Sequence, residues 1–566
     1  MDPKLKIYFY SPCVTTFYRP VEAHAKMGSG VFVNPTPLYL DSYIRRNEPD
    51  LLDKFEWAHL QYLPLTREEF IKDIENYQVD VVALSIYTWN KAEVLSLIKD
   101  IHKDLSRSVK IIIGGPSVDV VRNDQWLLDL PEIDFAIYAQ GEVPFVSVLK
   151  HYLGIEKISV LKTKNVAWVE NGKVRKADYE FTKIKNGSPI VDSAELLERV
   201  ARDPQLQGKL LQFPYETSRG CPYKCSFCDW TSGLSHKMSK RKFHFEDELE
   251  KLGELGIVDL YLADSNFGMF PEDIEIAKTL ARLKREKNYN FYIHGNNFSK
   301  TKKDIVFEIA DIFAAAGLTH YLKFSIQDID ENVLKNIDRP DISWEKHINY
   351  ILKLKEAHPN MIVAADIISG LPGQTRKTWA RLYSELCYHN IHLHIYDWEM
   401  IPNSPAAYDK EYQERMKLKT ITTKRGSVSR DLVVETISYS MQDYAYFKVL
   451  QQIYDGYFRN HAPAFPKFIK LIDNVKNLDH YLNDICANLK NDEFFFGAVK
   501  DIMKQIIQHN YKDLNPTFIK HVVLNNGKPI TGNLMEDTVS LIKPTQKTQE
   551  EIELEVFREL QEEMVC

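Results

Sequence analysis

Three cysteines fall within eight residues of this chain, and their spacing constrains the fold and the chemistry more than any other feature. Cys221, Cys225 and Cys228 follow directly on a strand predicted at Leu210–Glu216. Thiolates at short spacing in a loop can surround one metal centre, and zinc and iron–sulfur are both candidates. A structural zinc site takes four protein ligands, whereas the remaining cysteines are scattered singly along the chain. Three thiolates would leave one iron of a four-iron cluster open to a further ligand.

Composition and charge argue against several classes of protein. The chain has 72 Lys and Arg against 79 Asp and Glu, and this balance does not predict the broad basic surface of a nucleic-acid binder. A local basic run, Lys237–Lys242, is interpreted as a solvated loop. No apolar window is long enough for a membrane span, and the first residues lack a signal-peptide pattern. An odd cysteine count indicates a reducing compartment. We therefore expect a cytoplasmic protein without membrane or nucleic-acid partners.

The first 155 residues alternate short apolar strands with helical stretches. Strands are predicted at Lys6–Tyr10, Val79–Tyr87, Val109–Ile113 and Phe135–Tyr138. This alternation predicts a doubly wound parallel sheet, in which ligands bind beyond the carboxyl ends of the strands. Residues 156–205 are predicted to form a linker with a small hairpin, because Asn171-Gly172 separates two strand-like runs.

A second series of strands and helices occupies residues 206–410. Its predicted strands are Leu210–Glu216, Val258–Leu262, Asn290–His294, Tyr321–Ile326, Ile362–Ile368 and Leu393–Trp398. Six such units predict a partial barrel of the TIM type, with its site at the carboxyl ends of the strands. Residues 411–566 are rich in Tyr and Phe and are predicted to form a mostly helical C-terminal domain. The predicted fold class is therefore α/β, with a Rossmann-like N-terminal sheet, a central partial (β/α)6 barrel and a helical C-terminal part.

The spacing C-x3-C-x-aromatic-C, placed after the first strand of a βα barrel, resembles that of the radical S-adenosylmethionine (SAM) superfamily. The resemblance implies that the cysteines hold a [4Fe-4S] cluster whose open iron chelates SAM. An electron supplied by a flavodoxin- or ferredoxin-like reductant would then cleave SAM to a 5′-deoxyadenosyl radical. Tyr321–Arg339 is similar to the family's fourth strand and the helix after it. Asp366–Thr375 (DIISGLPGQT) is similar to its fifth strand and Gly-rich turn.

The resemblance also implies which residues contact SAM. The implied contacts are Phe227, Asp264, Ser325, Gln327, Gly370 and Pro372. Phe227 would meet the adenine and Asp264 the methionine amine. Ser325 and Gln327 alternate on one face of a strand and would reach the ribose and the methionine moiety. Two alternatives stay open: a hydrophobic plug beneath the loop for Phe227, and hydrogen bonding along the barrel rim for Ser325 and Gln327.

Three N-terminal segments resemble the cobalamin-binding class of these enzymes. They are Val82–Asn90 (VALSIYTWN), Ile111–Pro116 (IIIGGP) and Tyr138–Pro144 (YAQGEVP), each beginning in a predicted strand. The implied cobalamin contacts are Ser85, Tyr87, Thr88, Gly114, Gly115, Gln140, Gly141 and Glu142. The motif Asp-x-His-x-x-Gly, whose His ligates cobalt in methionine-synthase-like domains, is missing, so we expect cobalamin without a protein His ligand. A Rossmann-like domain that binds no cofactor is the alternative.

The two resemblances together imply a C-methyltransferase that acts on an unactivated carbon. It would use one SAM to methylate cobalamin and another to generate the radical that abstracts hydrogen from a peptide or natural-product intermediate. A cobalamin-dependent oxidoreductase, cyclase or ring-rearranging enzyme without methyl transfer is the first alternative. A non-catalytic sensor that kept its cofactors is the second. No catalytic side chain is assigned.

Overall fold

The computed structural model describes residues 3–21, 24–121, 123–156, 163–181, 187–230, 235–339, 342–425, 428–458, 465–489, 497–503 and 505–506. Its strands are β1 (Leu5–Tyr10), β2 (Val14–Val21), β3 (His24–Phe32), β4 (Phe55–Gln61), β5 (Val81–Ser85), β6 (Lys110–Gly114), β7 (Phe135–Ile137), β8 (Val166–Glu170), β9 (Lys173–Lys176), β10 (Leu210–Tyr215), β11 (Ser218–Gly220), β12 (Met238–Lys240), β13 (Asp259–Phe267), β14 (Tyr292–Phe298), β15 (Tyr321–Gln327), β16 (Ile362–Ser369), β17 (His392–Asp397), β18 (Lys419–Arg425) and β19 (Val428–Glu435).

Its helices are α1 (Thr36–Asn47), α2 (Arg67–Asn76), α3 (Lys91–Ile98), α4 (Gln125–Leu128), α5 (Glu142–Tyr152), α6 (Pro189–Asp192), α7 (Ala194–Ala201), α8 (Phe245–Glu254), α9 (Glu272–Glu286), α10 (Lys303–Ala315), α11 (Glu331–Asn336), α12 (Trp344–Ala357), α13 (Arg376–Tyr388), α14 (Pro405–Tyr408), α15 (Lys410–Met416), α16 (Met441–Ile453), α17 (Phe465–Ile472) and α18 (Leu478–Ala487). Within these ranges, no helix combines the length and the apolar character that crossing a membrane requires.

The N-terminal sheet has the strand order β4-β1-β5-β6-β7-β8-β9. Its first five strands in that order run parallel. Alternate residues of β1 enter two separate cores, with Ile7 and Phe9 on one face and Tyr8 and Tyr10 on the other. Both faces of the sheet are therefore covered, as a parallel sheet requires. This confirms the predicted doubly wound architecture.

The predicted hairpin is present and extends the N-terminal sheet. Asn171 and Gly172 have φ angles of 52° and 70°, which a tight turn between β8 and β9 requires. β8 in turn pairs antiparallel with β7. The hairpin thus forms the edge of the sheet, although the sequence had placed it in a linker.

Six parallel strands form the predicted partial barrel. Two ladders carry them, β10-β13-β14 and β15-β16-β17. β13 runs to Phe267 and β14 to Phe298, several residues beyond the ends expected from their apolar runs. The extensions contain polar residues such as Ser265 and Asn296, which do not continue the apolar alternation. These longer strand ends bring polar side chains to the mouth of the barrel.

The N-terminal segment and the barrel share a sheet, which the sequence did not indicate. β3 pairs parallel with β10, the first barrel strand, and β2 pairs antiparallel with β3. The backbone N–H of Val33 continues this contact by donating to the carbonyl of Gln212 at 2.9 Å. One strand of the N-terminal segment is therefore joined to the barrel through backbone hydrogen bonds.

The described C-terminal residues are helical with one antiparallel hairpin, β18-β19. Ser440 caps α16 with a reciprocal capping box to Asp443, which defines where that helix starts. Tyr439 just before it donates its hydroxyl to the carbonyl of Gly370 at 2.7 Å. The C-terminal helices thus pack directly on the Gly-rich turn of the barrel. Residues 507–566 lie outside the described part of the chain.

Candidate active site

The cysteine loop leaves β10 and passes through β11 before it reaches Cys221. β12 returns after the loop and pairs antiparallel with β11. Cys221 and Cys225 are buried and Cys228 is half-buried. The three cysteines line one cleft with about 290 Å³ of empty space, part of it open to solvent. The cleft is completed by Tyr223, Lys224, Trp230, His236, Lys300 and Pro405. The structure therefore brings the three predicted cluster ligands together.

The chemistry of these donors fits an iron–sulfur cluster better than a single zinc ion. In the described ranges, no group of His, Cys, Asp and Glu side chains is placed to hold one metal ion. Thiolates that bind different irons of a cluster do not need to converge on one point. Asn266 donates its amide to the Sγ of Cys221 at 3.3 Å, and the backbone N–H of Trp230 points at the Sγ of Cys228 at 3.4 Å. Such donors stabilise the negative charge of thiolate ligands.

Asp264 anchors the start of the cysteine loop, which corrects the role expected from the sequence. Its fully buried carboxylate accepts hydrogen bonds from the backbone N–H groups of Thr217 at 2.8 Å and Ser218 at 2.6 Å. The hydroxyl of Thr217 donates to it as well. Burial raises the pKa of Asp264 to about 6. With these protein partners and no exposed surface, Asp264 supports the loop from beneath instead of reaching a ligand.

The far end of the cysteine loop is clamped by residues distant in sequence. The backbone N–H of Ser226 donates to the carbonyl of Ile337 at 2.9 Å, and its carbonyl accepts from the N–H of Ala406 at 2.8 Å. Its hydroxyl lies 2.9 Å from the hydroxyl of Tyr412. The adjacent Phe227 is half-buried against a cluster that contains Leu371 of the Gly-rich turn. This packing fits the hydrophobic plug, and the contact of Phe227 with adenine stays a prediction.

Four successive barrel strands each carry, towards the carboxyl end, a buried polar atom without a hydrogen-bond partner in the described structure. These atoms are Oδ1 of Asn266, Nδ2 of Asn296, Oε1 of Gln327 and Oγ of Ser369. Buried polar atoms are normally paired, so unpaired ones gathered at one edge are candidates to meet a ligand. Gln327 was predicted from the sequence. Asn266 was not, although it follows Asp264 within the same motif.

Ser325 is already engaged inside the barrel. Its hydroxyl donates to Asp366 at 3.1 Å, and Lys323 lies 3.1 Å from the same carboxylate. Burial alone would raise the pKa of Asp366, but the hydrogen bond from His394 and the charge of Lys323 outweigh it and hold the pKa below its usual value. The structure places Ser325 on the rim as the alternative had it. Its contact with SAM stays a prediction, and the hydroxyl can accept a further hydrogen bond.

The Gly-rich turn is held by one buried side chain, Gln374. Its Oε1 accepts from the backbone N–H groups of Gly370 and Leu371, at 2.8 and 2.9 Å. Its amide donates to Asp328 at 2.6 Å. Gly370 has a φ of 94°, a conformation that favours glycine. The carbonyl of Pro372 is also occupied, by the amide of Asn336 at 3.1 Å. The backbone groups of Gly370 and Pro372 named here already have protein partners. These two residues could therefore contact a ligand through van der Waals packing more than through hydrogen bonds.

The turns after β1 and β5 in the N-terminal sheet meet at Asn34, a residue that the sequence reasoning missed. The amide of Asn34 donates to the hydroxyls of Ser11, Ser85 and Tyr87, at 2.9, 3.0 and 3.3 Å. An Asn-Pro pair before a helix is a turn signal that could have drawn attention to it. The hydroxyl of Ser85 thus has a structural partner. Thr88 is exposed next to this hub, as a ligand contact would need to be.

The turn after β6 shows why two glycines follow each other. A Cβ on Gly115 would lie 2.5 Å from the carbonyl oxygen of Ile86, and its φ is 106°. Gly114 has no comparable restriction, since its nearest neighbour would be 3.8 Å away. Gly115 is therefore required for the packing of two adjacent turns. Only Gly114 is left as a position where the absence of a side chain could serve a ligand.

The turn after β7 contains Gln140, Gly141 and Glu142, all half-buried. Glu142 is the first residue of α5. Its carboxylate accepts a hydrogen bond from Arg219 of β11 at 2.6 Å. The Glu142 side chain thus contacts the barrel, and its contact with cobalamin stays a prediction. The contacts of Gln140 and Gly141 with cobalamin stay predictions.

Comparisons with known proteins agree with this domain arrangement. The Radical SAM superfamily matches residues 215–386, and the B12 binding domain matches residues 49–149. The cobalamin-dependent radical SAM methyltransferase TokK of Streptomyces tokunonensis is 27% identical over 68% of this chain and 58% of its own length. The 2-(S-pantetheinyl)-carbapenam-3-carboxylate methyltransferase of Streptantibioticus cattleyicolor is 30% identical over 58% of this chain and 48% of its own. The chain thus spans about half the length of these relatives.

The fold has a counterpart among solved structures. The cobalamin-dependent SAM radical enzyme OxsB, solved with aqua-cobalamin, superposes with a TM-score of 0.60 at 13% identity, over 95% of this chain and 83% of that one. At this identity the likeness concerns the fold alone. The two domain matches confirm the cofactor set expected from the sequence, namely a [4Fe-4S] cluster, SAM and cobalamin. The chain therefore carries a radical SAM domain at residues 215–386 and, before it, a B12 binding domain at residues 49–149.

Proposed function

We propose that this protein is a cobalamin-dependent radical SAM C-methyltransferase. Two of its relatives, TokK and the carbapenam carboxylate methyltransferase, are named as methyltransferases, and both domains needed for that chemistry are present. When bound, the cluster with SAM supplies a 5′-deoxyadenosyl radical, and cobalamin supplies a methyl group. A carbon radical can accept a methyl group at a position that resists acid–base chemistry.

One observation carries the proposal: the two candidate cofactor edges meet. Glu142, in the third turn of the N-terminal sheet, is 2.6 Å from Arg219, which lies two residues before Cys221. The β3-β10 ladder also joins the N-terminal segment to the first barrel strand through the backbone. A substrate between the two edges could therefore reach both sites without a large movement of either part.

The chain's own residues divide the work between holding and orienting. Cys221, Cys225 and Cys228 would hold the cluster, and Asp264 fixes the loop that carries them. The unpaired Oε1 of Gln327 would accept a hydrogen bond from SAM. Packing of the C-terminal helices on the Gly-rich turn would keep water from the radical.

The substrate we propose is a small natural-product intermediate, with an external one-electron reductant as partner. The relative from Streptantibioticus cattleyicolor is named for a substrate of that kind, a pantetheinyl carbapenam carboxylate, and this favours a small molecule over a peptide. Its named substrate is therefore the first probe to offer.

The test is a product analysis of the reconstituted protein under anaerobic conditions. With reductant, SAM and this carbapenam, we expect S-adenosylhomocysteine and 5′-deoxyadenosine together, and a substrate heavier by one CH₂ group. Formation of 5′-deoxyadenosine without S-adenosylhomocysteine would contradict methyl transfer. The absence of both would contradict the radical SAM activity itself.

A further inference from the structure

Arg219 links the two candidate cofactor sites through its guanidinium group. It lies on β11 and faces Glu142 at 2.6 Å and Glu216 at 3.0 Å. All three side chains are at least three-quarters buried, with exposed fractions of 17%, 13% and 22%. Glu142 belongs to the turn after β7, and Glu216 to the segment between β10 and the cysteine loop. One cation is therefore shared by carboxylates from the N-terminal domain and from the barrel.

A second arginine supports the same contact. Arg241 is 1% exposed and donates to Glu248 at 2.6 Å and to the backbone carbonyl of Glu216 at 2.5 Å. The ring of Tyr39, from α1 of the N-terminal domain, lies 5.4 Å from the guanidinium of Arg219 and 5.6 Å from that of Arg241. Arginines at these distances from a ring make favourable cation–π contacts. Arg241 belongs to the basic run Lys237–Lys242, for which a solvated loop was expected. This run thus helps to hold the domains together.

The chemistry of arginine explains why the contact is directional. A planar guanidinium can hold two carboxylates at fixed angles, whereas an ammonium acts as a single point charge. Because the three charges are largely buried, solvent weakens their interaction less than it weakens a surface ion pair. A shift of α5 at Glu142 would therefore be transmitted to Glu216 and to the backbone that leads into Cys221.

We propose that Arg219 is a positioning residue that couples cobalamin binding at the turn after β7 to SAM binding at the cysteine loop. This inference rests on the proposed two-cofactor function and deepens it. Arg219 touches neither reacting group; it acts through Glu142 on one side and through the loop backbone on the other. Coupling between two sites is reciprocal. A change at Glu142 should therefore affect SAM binding, and a change at Arg219 should affect cobalamin binding.

The experiment measures both affinities in the full-length protein. Hydroxocobalamin binding is followed by absorbance in cluster-free protein, and SAM binding is followed in cluster-loaded protein by its effect on the spectrum of the reduced cluster. The variants are Glu142→Gln, Arg219→Lys and their combination. Arg46→Gln serves as the control, because Arg46 also pairs with a carboxylate, that of Asp192, and neither residue belongs to the cysteine loop or to the three turns.

The proposal predicts that Glu142→Gln weakens SAM binding and that Arg219→Lys weakens cobalamin binding, each by roughly 5- to 150-fold. The double variant should be no weaker than the poorer single variant, because both changes remove one interaction. Arg46→Gln should match wild type. Unchanged SAM affinity in Glu142→Gln, or unchanged cobalamin affinity in Arg219→Lys, would overturn the coupling.

If wild type does not bind cobalamin, the proposed function is wrong. A second measurement, which needs no cofactor, then still tests the role of Arg219. Hydrogen exchange in the protein without cofactors should be faster at residues 142–146 in Arg219→Lys. It should also be faster at residues 218–228 in Glu142→Gln. If exchange becomes faster only at residues 218–228 in Arg219→Lys and only at residues 142–146 in Glu142→Gln, each effect is local. That result would overturn the proposal.

Discussion

At the scale of single residues, contacts between side chains that are distant in sequence hold the candidate site together. The cysteines could be predicted because their spacing is a local pattern. Asp264 and Glu142 were found because they lie in recognisable motifs, but their partners are far away in sequence. The contacts of Asn34 and Arg219 could not be predicted, since nothing in their sequence neighbourhood indicates which residues they meet. A side chain's role depends on long-range pairing that no local pattern encodes.

The hydrogen bond from Asn266 to Cys221 gives a first prediction at this scale. A donor to a thiolate ligand stabilises the more negative, reduced cluster, so its loss should make the reduction potential more negative. We expect Asn266→Leu to lower the midpoint potential of the SAM-free cluster by an amount on the order of tens of millivolts. Potentiometric titration followed by electron paramagnetic resonance measures it. Asn296→Leu is the control. An equal shift of the midpoint potential in both variants would show that the hydrogen bond from Asn266 to Cys221 does not set the potential.

The buried carboxyl of Asp328 gives a second prediction, in the pH dependence of stability. Burial raises its pKa to about 6, so the folded protein binds this proton more tightly than the unfolded chain does. The protonated carboxyl of Asp328 therefore stabilises the folded protein fully below the pKa that this group has in the unfolded chain. This stabilisation is lost as the pH rises towards 6. Relative to Asp328→Asn, the wild-type free energy of unfolding should fall by about 2 kcal/mol between pH 4 and pH 6. Urea titrations at several pH values would measure this difference, and a difference that does not change with pH would contradict the assignment.

At the scale of secondary-structure elements, the sequence predicted all six barrel strands and the parallel core of the N-terminal sheet. Apolar runs bounded by turn residues are sufficient to locate such strands. The ends of β13 and β14 were placed too early, because polar residues interrupt the apolar run of each strand before its final Phe. The pairing of β3 with β10 was missed, since a strand that leaves one sheet to join another has no signature of its own. The fold was therefore more predictable than the way in which its parts are joined.

The double glycine after β6 gives a prediction at this scale. Gly115→Ala should destabilise the protein by roughly 2 kcal/mol or more, because the new Cβ would meet the carbonyl of Ile86 and the backbone would be strained. Gly114→Ala should fold normally, since its Cβ has room. Thermal unfolding monitored by circular dichroism distinguishes them. If Gly114→Ala nevertheless binds hydroxocobalamin more weakly, the corrin or its tail approaches this turn; equal stability of the two variants would contradict the packing argument.

At the scale of the whole molecule, the arrangement holds the two candidate cofactor sites next to each other. A shared sheet, a buried cluster of charges and the C-terminal helices hold the barrel mouth. The N-terminal turns are tied to this mouth through Glu142 and Arg219, so their separation is set by the protein before any ligand binds. We infer that one chain carries both sites and that the three cysteines hold only one of the two cofactors.

The most direct test is the cofactor content after anaerobic reconstitution with iron, sulfide and hydroxocobalamin. Wild type should retain about four irons and about one cobalamin per chain after desalting. Cys225→Ala should lose the cluster and keep the cobalamin, because the turns after β5, β6 and β7 do not include the cysteine loop. A wild-type protein without cobalamin, or a Cys225→Ala variant with a complete cluster, would contradict this account.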